Sequence, residues 1–103
     1  MSDIAGTTNV GNTPVLQLTA TDAQFVPGIE ALERQLESQR AALQPATIAT
    51  IEKSLSTIDA ALLEARAALL ADPANAALKE VLETTYRHKM DFLTRAAQIA
   101  VGN

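Results

Sequence analysis

The sequence predicts an all-α chain: an antiparallel long helical hairpin with a third helix, packed as a three-helix bundle or a coiled-coil-like assembly behind a flexible N-terminal tail. Three observations predict it. Apolar residues make up 48% of the 103 positions but aromatics only 3%, and Ala and Leu lead the apolar set. With Glu, Lys, Arg and Gln, these are the strong helix formers. Apolar residues also recur at alternating spacings of three and four, the pattern of a helix-to-helix seam. Finally, two breaks that contain Pro cut the main part of the chain into three helix-length pieces.

Residues 1–20, MSDIAGTTNVGNTPVLQLTA, are punctuated by Gly6, Gly11, Asn9, Asn12 and Pro14. This composition predicts a flexible segment, with room for a short extended piece at Val15–Leu18. One helical domain occupies 21–103. Its first helix, expected over 27–43, carries Phe25, Ile29, Leu32, Leu36, Gln39 and Leu43 on one face. Pro27 is tolerated in a first turn, which places the regular start there, with an earlier turn from Thr21 or Asp22 also compatible. Pro45 ends it, because the residue before a proline resists the α region.

The second helix is expected over 46–71, starting at Pro45 or Ala46. Ile48, Ile51, Leu55, Ile58, Leu62, Ala65 and Leu69 form an unbroken 3-4 series, and at 1.5 Å per residue the helix is roughly 40 Å long. Leu63 and Leu70 lie beside this seam and widen the stripe, which suits contact with two neighbours. The run Asp72-Pro73-Ala74-Asn75 is the next boundary. Asp72 is suited to cap a helix with Pro73 in its first position, and Asn75 is a second cap candidate. The connection is short enough for an αα-hairpin. The third helix, expected over 73–101 with Gly102 as its stop, shows two adjoining apolar series: Leu78, Thr85, Phe92, Ile99 and Leu82, Tyr86, Leu93, Ala97. Two arrangements fit, a three-helix bundle or a long hairpin that buries its remaining stripe in a dimer.

Composition narrows function by exclusion. A net charge of −4 opposes nucleic-acid binding, which needs a supply of Lys and Arg. With no Cys there is no disulfide, Cys-ligated zinc or thiol nucleophile. No apolar run reaches the length of a bilayer span, and the N-terminus has neither the basic nor the apolar region of a signal peptide.

The most site-like stretch is YRHKMDFL, Tyr86–Leu93, which holds the sole His and the sole Tyr. His88 has one plausible co-ligand within helical reach, Asp91, and zinc or copper needs three or four; no metal or cofactor is expected. Lys79, Glu83, Arg87, Asp91 and Arg95 recur every fourth residue with alternating sign, a ladder of i,i+4 pairs on a solvated face. Tyr86, Met90 and Leu93 read as core, with the Tyr86 hydroxyl at the edge. Most carboxylates (Glu30, Glu33, Glu37, Glu52, Glu64) fall on exposed faces. Asp59 is expected at a seam edge, as a partner for an N–H or an Arg. Neither a Ser-His-acid set nor a glycine-rich phosphate loop is present, and no catalytic residue is expected. The residues with an apolar face left over are Leu63, Leu70, Val81, Phe92 and Ile99. They are the candidate protein interface, for a partner or for self-association through helices.

The hairpin also carries a family likeness. Ile58-Asp59, Glu64-Ala65-Arg66, Asp72-Pro73, Asn75, Tyr86-Arg87, Lys89, Asp91, Leu93 and Arg95-Ala96 match a pattern of the form I-D, E-A-R, D-P-x-N, then Y-R-x-K-x-D-x-L-x-R-A. Over residues 25–100 the chain resembles the C-terminal, extracytoplasmic region of bacterial zinc-finger-type anti-sigma factors. The resemblance implies a part in envelope-linked control of transcription. In that family a cytoplasmic zinc-binding domain holds the sigma factor and a membrane helix joins it to the outer region. This chain has neither the zinc ligands nor the span. The resemblance therefore implies the sensor, interaction or spacer part alone, located in the periplasm or otherwise outside the cytoplasm. His88 falls at a variable position of the pattern. The other readings are a free-standing structural oligomer or assembly subunit, and a metal or small-ligand sensor using His88.

Overall fold

The structure, a computed structural model, describes residues 19–102, so residues 1–18 of the expected tail, with the extended piece at Val15–Leu18, lie outside the described residues, while its last two, Thr19 and Ala20, cap and open the first helix. Those described form three helices and no strand: α1, Ala20–Ser38; α2, Pro45–Ala71; and α3, Ala76–Gly102. The chain runs up, down and up. α3 lies against both α1 and α2, parallel to the first and antiparallel to the second. The fold is the three-helix bundle rather than the open hairpin.

α1 begins seven residues before the start expected at Pro27. The cause is a capping box. Thr19 Oγ1 accepts the Asp22 N–H at 3.1 Å, and Asp22 Oδ2 accepts the Thr19 N–H at 2.7 Å. Pro27 therefore stands inside the helix, where its missing N–H leaves the Ala23 carbonyl without its usual partner. Both residues are exposed, so water can take that carbonyl. At the other end α1 stops at Ser38, five residues short of Leu43. A 3-10 turn over Arg40–Ala42 comes next, and Leu43 is extended with φ −102° and ψ 146°. This compact turn folds Leu43 back into the core, where it is buried beside Ile51, Ala96 and Ala100. Gln44 before the proline is extended too, as sterics require, and Pro45 opens α2.

α3 begins at Ala76, not at Pro73. Asn75 wins as the cap: its Oδ1 accepts the Leu78 N–H at 3.1 Å. Asp72 and Pro73 instead form the turn, closed by the Asn75 N–H on the Asp72 carbonyl at 3.1 Å. The Asn75 side-chain amide also donates to Asp72 Oδ2 at 3.0 Å.

The seam of α2 packs as its spacing predicts. Ile51, Ile58, Leu62, Ala65 and Leu69 are buried, with Ile48 and Leu55 half-buried against them. Of the two series on α3, the one through Leu82, Tyr86, Leu93 and Ala97 is buried. The other stays half-exposed at Leu78, Thr85 and Phe92 and opens to solvent at Ile99. The main core gathers Ile29 of α1, Ile58, Leu62, Ala65 and Leu69 of α2, and Leu82, Tyr86 and Leu93 of α3.

Candidate functional site

Two polar clusters cross the apolar core, and each takes one side chain from each helix. The first joins Asp22, Arg66 and Tyr86. Asp22 is fully buried. Its Oδ1 accepts from the Tyr86 hydroxyl and from Arg66 Nε at 3.1 Å. Its Oδ2 accepts from the Thr19 N–H and from Thr19 Oγ1, the latter at 2.8 Å. Arg66 Nη2 donates to the tyrosine oxygen at 2.9 Å, so the three groups form a closed ring of hydrogen bonds. The Phe25 ring stacks on Tyr86 with centroids 5.2 Å apart, and the Arg87 guanidinium lies 5.9 Å from the Phe25 centroid. The Tyr86 hydroxyl thus points inward rather than lying at the edge. Asp22 is the reason: a buried carboxylate must be paired and hydrogen-bonded.

The second cluster joins Glu33, Asp59 and Lys89. Lys89 Nζ reaches Asp59 Oδ1 at 2.6 Å and Glu33 Oε2 at 3.2 Å. Lys89 itself is buried, while both carboxylates stand half in water. The aliphatic stem lies in the core and the ammonium emerges between two acidic rims. Asp59 therefore does sit at a seam edge, with a lysine as its partner.

The electrostatics fix the charge states. Burial pushes the Asp22 carboxyl up, but the bonds from Tyr86 and Thr19 and the Arg66 charge outweigh it and hold the group below its ordinary 3.8. Burial and the hydrogen bond to Asp22 push the Tyr86 phenol from 10.0 up to about 12. Burial lowers Lys89, yet Asp59 and Glu33 more than compensate, so its ammonium is held above the usual 10.5. All three shifts move away from neutral pH and deepen the charge state already present. Each cluster thus ties side chains of all three helices to one another.

Tyr86 is the sole tyrosine, and the chain has no tryptophan, so its ionisation can be read directly by near-ultraviolet absorbance. At the pH where a free tyrosine is half ionised, about 10, the folded protein is expected to show almost no tyrosinate. In denaturant the midpoint is expected to return to about 10. A phenol pKa raised on folding favours the folded state below the unfolded value of 10.0, and that contribution is lost as the pH climbs toward about 12. A folded-state midpoint near 10 would mean that the hydroxyl faces water.

His88 is exposed, and among the described residues no group of three or more His, Asp or Glu side chains is placed to hold a metal ion. Of the charge ladder, the Asp91–Arg95 rung closes at 3.2 Å, while Arg87 turns to the Phe25 ring. Among the residues whose side chains are described, Leu63, Leu70, Val81 and Ile99 are the large apolar ones left exposed, at 63%, 41%, 50% and 49%. Phe92, expected with them, is half-buried and packs against both core clusters. It borders a groove with Ile99, Ala46 and Thr50. No helix among the described residues is long and apolar enough to cross a membrane.

Sequence reasoning missed Asp22 and Arg66 as partners of Tyr86, and Lys89 with Glu33 as partners around Asp59. A signal existed for Lys89. Leu82, Tyr86, Lys89, Leu93, Ala96 and Ala100 form a 4-3-4-3-4 series, and every member is buried. Lys89 is the one charged residue in it. Compared with protein-family models, with curated proteins and with solved structures, the chain gives no significant match.

Proposed function

We propose that the chain is a non-enzymatic helical interaction or sensor module, the extracytoplasmic part of an anti-sigma-factor-type transcription regulator. One observation carries the reading. The residues that bear the family likeness include Asp59, Arg66, Tyr86 and Lys89, and these four meet in the two polar clusters. Asp72 and Asn75, from the same pattern, form the turn between α2 and α3. The likeness thus reaches the residues that hold the bundle in register, beyond its Ala and Leu content. The polar groups at the centre are consumed by one another, and Leu63, Leu70, Val81 and Ile99 remain on the surface, which suits a module that works by contact.

The genomic reading frame around this chain tests the family. A zinc-ligating segment and a membrane helix upstream of Met1 support the reading; a frame that starts at Met1 overturns it in favour of a free-standing subunit. Light scattering over a dilution series tests self-association. If the exposed stripe on α3 self-associates, the wild type dissociates on dilution and the double variant Val81→Glu/Ile99→Glu is monomeric throughout. A wild type that is already monomeric at high concentration overturns self-association through this stripe.

A further inference from the structure

Because α1 and α2 both lie on α3, a groove runs between them on the side away from α3. It has two hollows, of about 320 Å³ and about 200 Å³, that meet at Glu33, a residue lining both. Ile29, Leu62 and Leu93 supply apolar lining, and Leu63 lies on the α2 lip. Carboxylates line both rims: Glu30, Glu33 and Glu37 on α1, spaced by three and four, and Glu52 and Asp59 on α2, two turns apart. The groove lining holds five carboxylates against three cations, Arg40, Arg66 and Lys89. The other described residues, the buried Asp22 among them, carry six acidic and five basic side chains. Most of the net negative charge of the described residues therefore lies along this one groove. The three cations are already paired there: Arg66 with Asp22, Lys89 with Asp59 and Glu33, and Arg40 with Glu52 at 2.9 Å and with Glu37 at 3.9 Å. Glu30 is the rim carboxylate with no such pair among the described residues.

The geometry points to this groove as the seat of a partner's basic amphipathic helix, docking as a fourth helix across α1 and α2. Apolar knobs of that helix fill the two hollows, each the size of one or two large aliphatic side chains. Lys or Arg residues on its flanks meet the acidic rims, the helix-in-groove mode of recognition. The wall from Val26 to Arg40 is about 20 Å long, which accepts about 14 helical residues. A second copy of this chain is a poor occupant, because its described residues outside the groove lining carry no net positive charge to match the acidic rims. This inference rests on the reading of the chain as an interaction module; it does not need the anti-sigma assignment.

The test uses two fluorescein-labelled helical peptides of about 14–18 residues with the same Leu positions, one flanked by Lys and one by Glu, in anisotropy titrations of the full chain. The Lys peptide is expected to bind at least about ten-fold more tightly at low ionic strength, and to weaken as salt is added. Glu30→Lys/Glu37→Lys, at two exposed positions, is expected to remove most of that preference while leaving the helical circular dichroism unchanged. Val81→Glu/Ile99→Glu is expected to bind the Lys peptide as the wild type does. Equal binding of the two peptides, binding of neither, or wild-type affinity in the charge-reversed variant overturns the inference. If such a failure is accompanied by association that Val81→Glu/Ile99→Glu abolishes, the interaction-module reading stands and the groove is not its surface.

Discussion

Asp22→Ala is expected to lower the free energy of unfolding by about 3 kcal/mol, the low end of the cost of removing one partner from a buried ion pair. The low end applies because Arg66 is partly exposed, at 22% of its side chain, and water can take up some of the uncompensated charge. The substitution strips the Arg66 guanidinium and the Tyr86 hydroxyl of their common acceptor and breaks the reciprocal bond of the capping box. Asp22→Asn keeps a carbonyl acceptor for Tyr86 but loses the charge, so about half that loss is expected, since hydrogen bonds to neutral groups are weaker by about that factor. Urea denaturation measures both. The pH dependence has a definite sign. The Asp22 carboxyl is held below 3.8 in the folded state, so its contribution is fully present above that value and is lost as the pH falls below it through the folded value. The urea midpoint of the wild type should drop in that acid window, and that of Asp22→Asn should drop less. A loss under about 1 kcal/mol for Asp22→Ala, the size of an ordinary hydrogen bond, would show that the buried ring is not a stabilising lock.

Legibility in the sequence tracks which forces are local. The α2 seam could be read because an unbroken 3-4 series is a property of one helix alone, and Ile51, Ile58, Leu62, Ala65 and Leu69 are all buried. The start of α1 could not be read from Pro27, because the decisive group is a carboxylate with a tertiary role. Asp22 is both the N3 residue that closes the capping box and the acceptor for Arg66 and Tyr86. Propensity alone sees a poor helix former there. Once Asp22 is buried the first turn is fixed in place, and the helix absorbs the cost of Pro27 in its exposed interior. The 3-10 turn was illegible for a related reason, since the extended conformation of Leu43 is set by the pocket it fills between α2 and α3.

Lys89 shows where a pattern was present and misjudged. Grouping Tyr86, Met90 and Leu93 by apolarity skips the lysine that completes the buried series. A charged residue at one seam position is a device for fixing register, as a single polar a position is in coiled coils. Here it places the ammonium between rims on two helices. Asp59 could be assigned to a seam edge from its phase in α2, but its partner, 30 positions away, emerges only from the bundle. Leu63 and Leu70, read as the widening of a stripe shared with two neighbours, instead line the edges of open grooves, because α1 packs on α3 and leaves the α2 lip bare.

The largest loss is expected for Leu82→Ala, about 4 kcal/mol, with Leu93→Ala close behind at about 3 kcal/mol, within the range for Leu truncation in cores. Both side chains have zero exposure, so the difference rests on what surrounds them. Leu93 lines the lower hollow of the groove between α1 and α2. Truncating it enlarges a space already open to water, and flexible neighbours such as Leu36 and Leu55 can move in. Leu82 lines none of the described grooves, so its truncation leaves a closed void whose lining loses contacts outright. Leu63→Ala, at 63% exposure, is expected within about 0.5 kcal/mol of wild type, as for a surface substitution. A bundle of this size has about 5–10 kcal/mol in total, so Leu82→Ala should shift its thermal midpoint by more than 10 °C, at roughly 4–8 °C per kcal/mol. Calorimetry of the three variants decides the point. A Leu93→Ala loss equal to or above that of Leu82→Ala would mean that the groove is closed to water in solution and that its floor is core. The space offered to a docking helix would then be smaller than the structure shows.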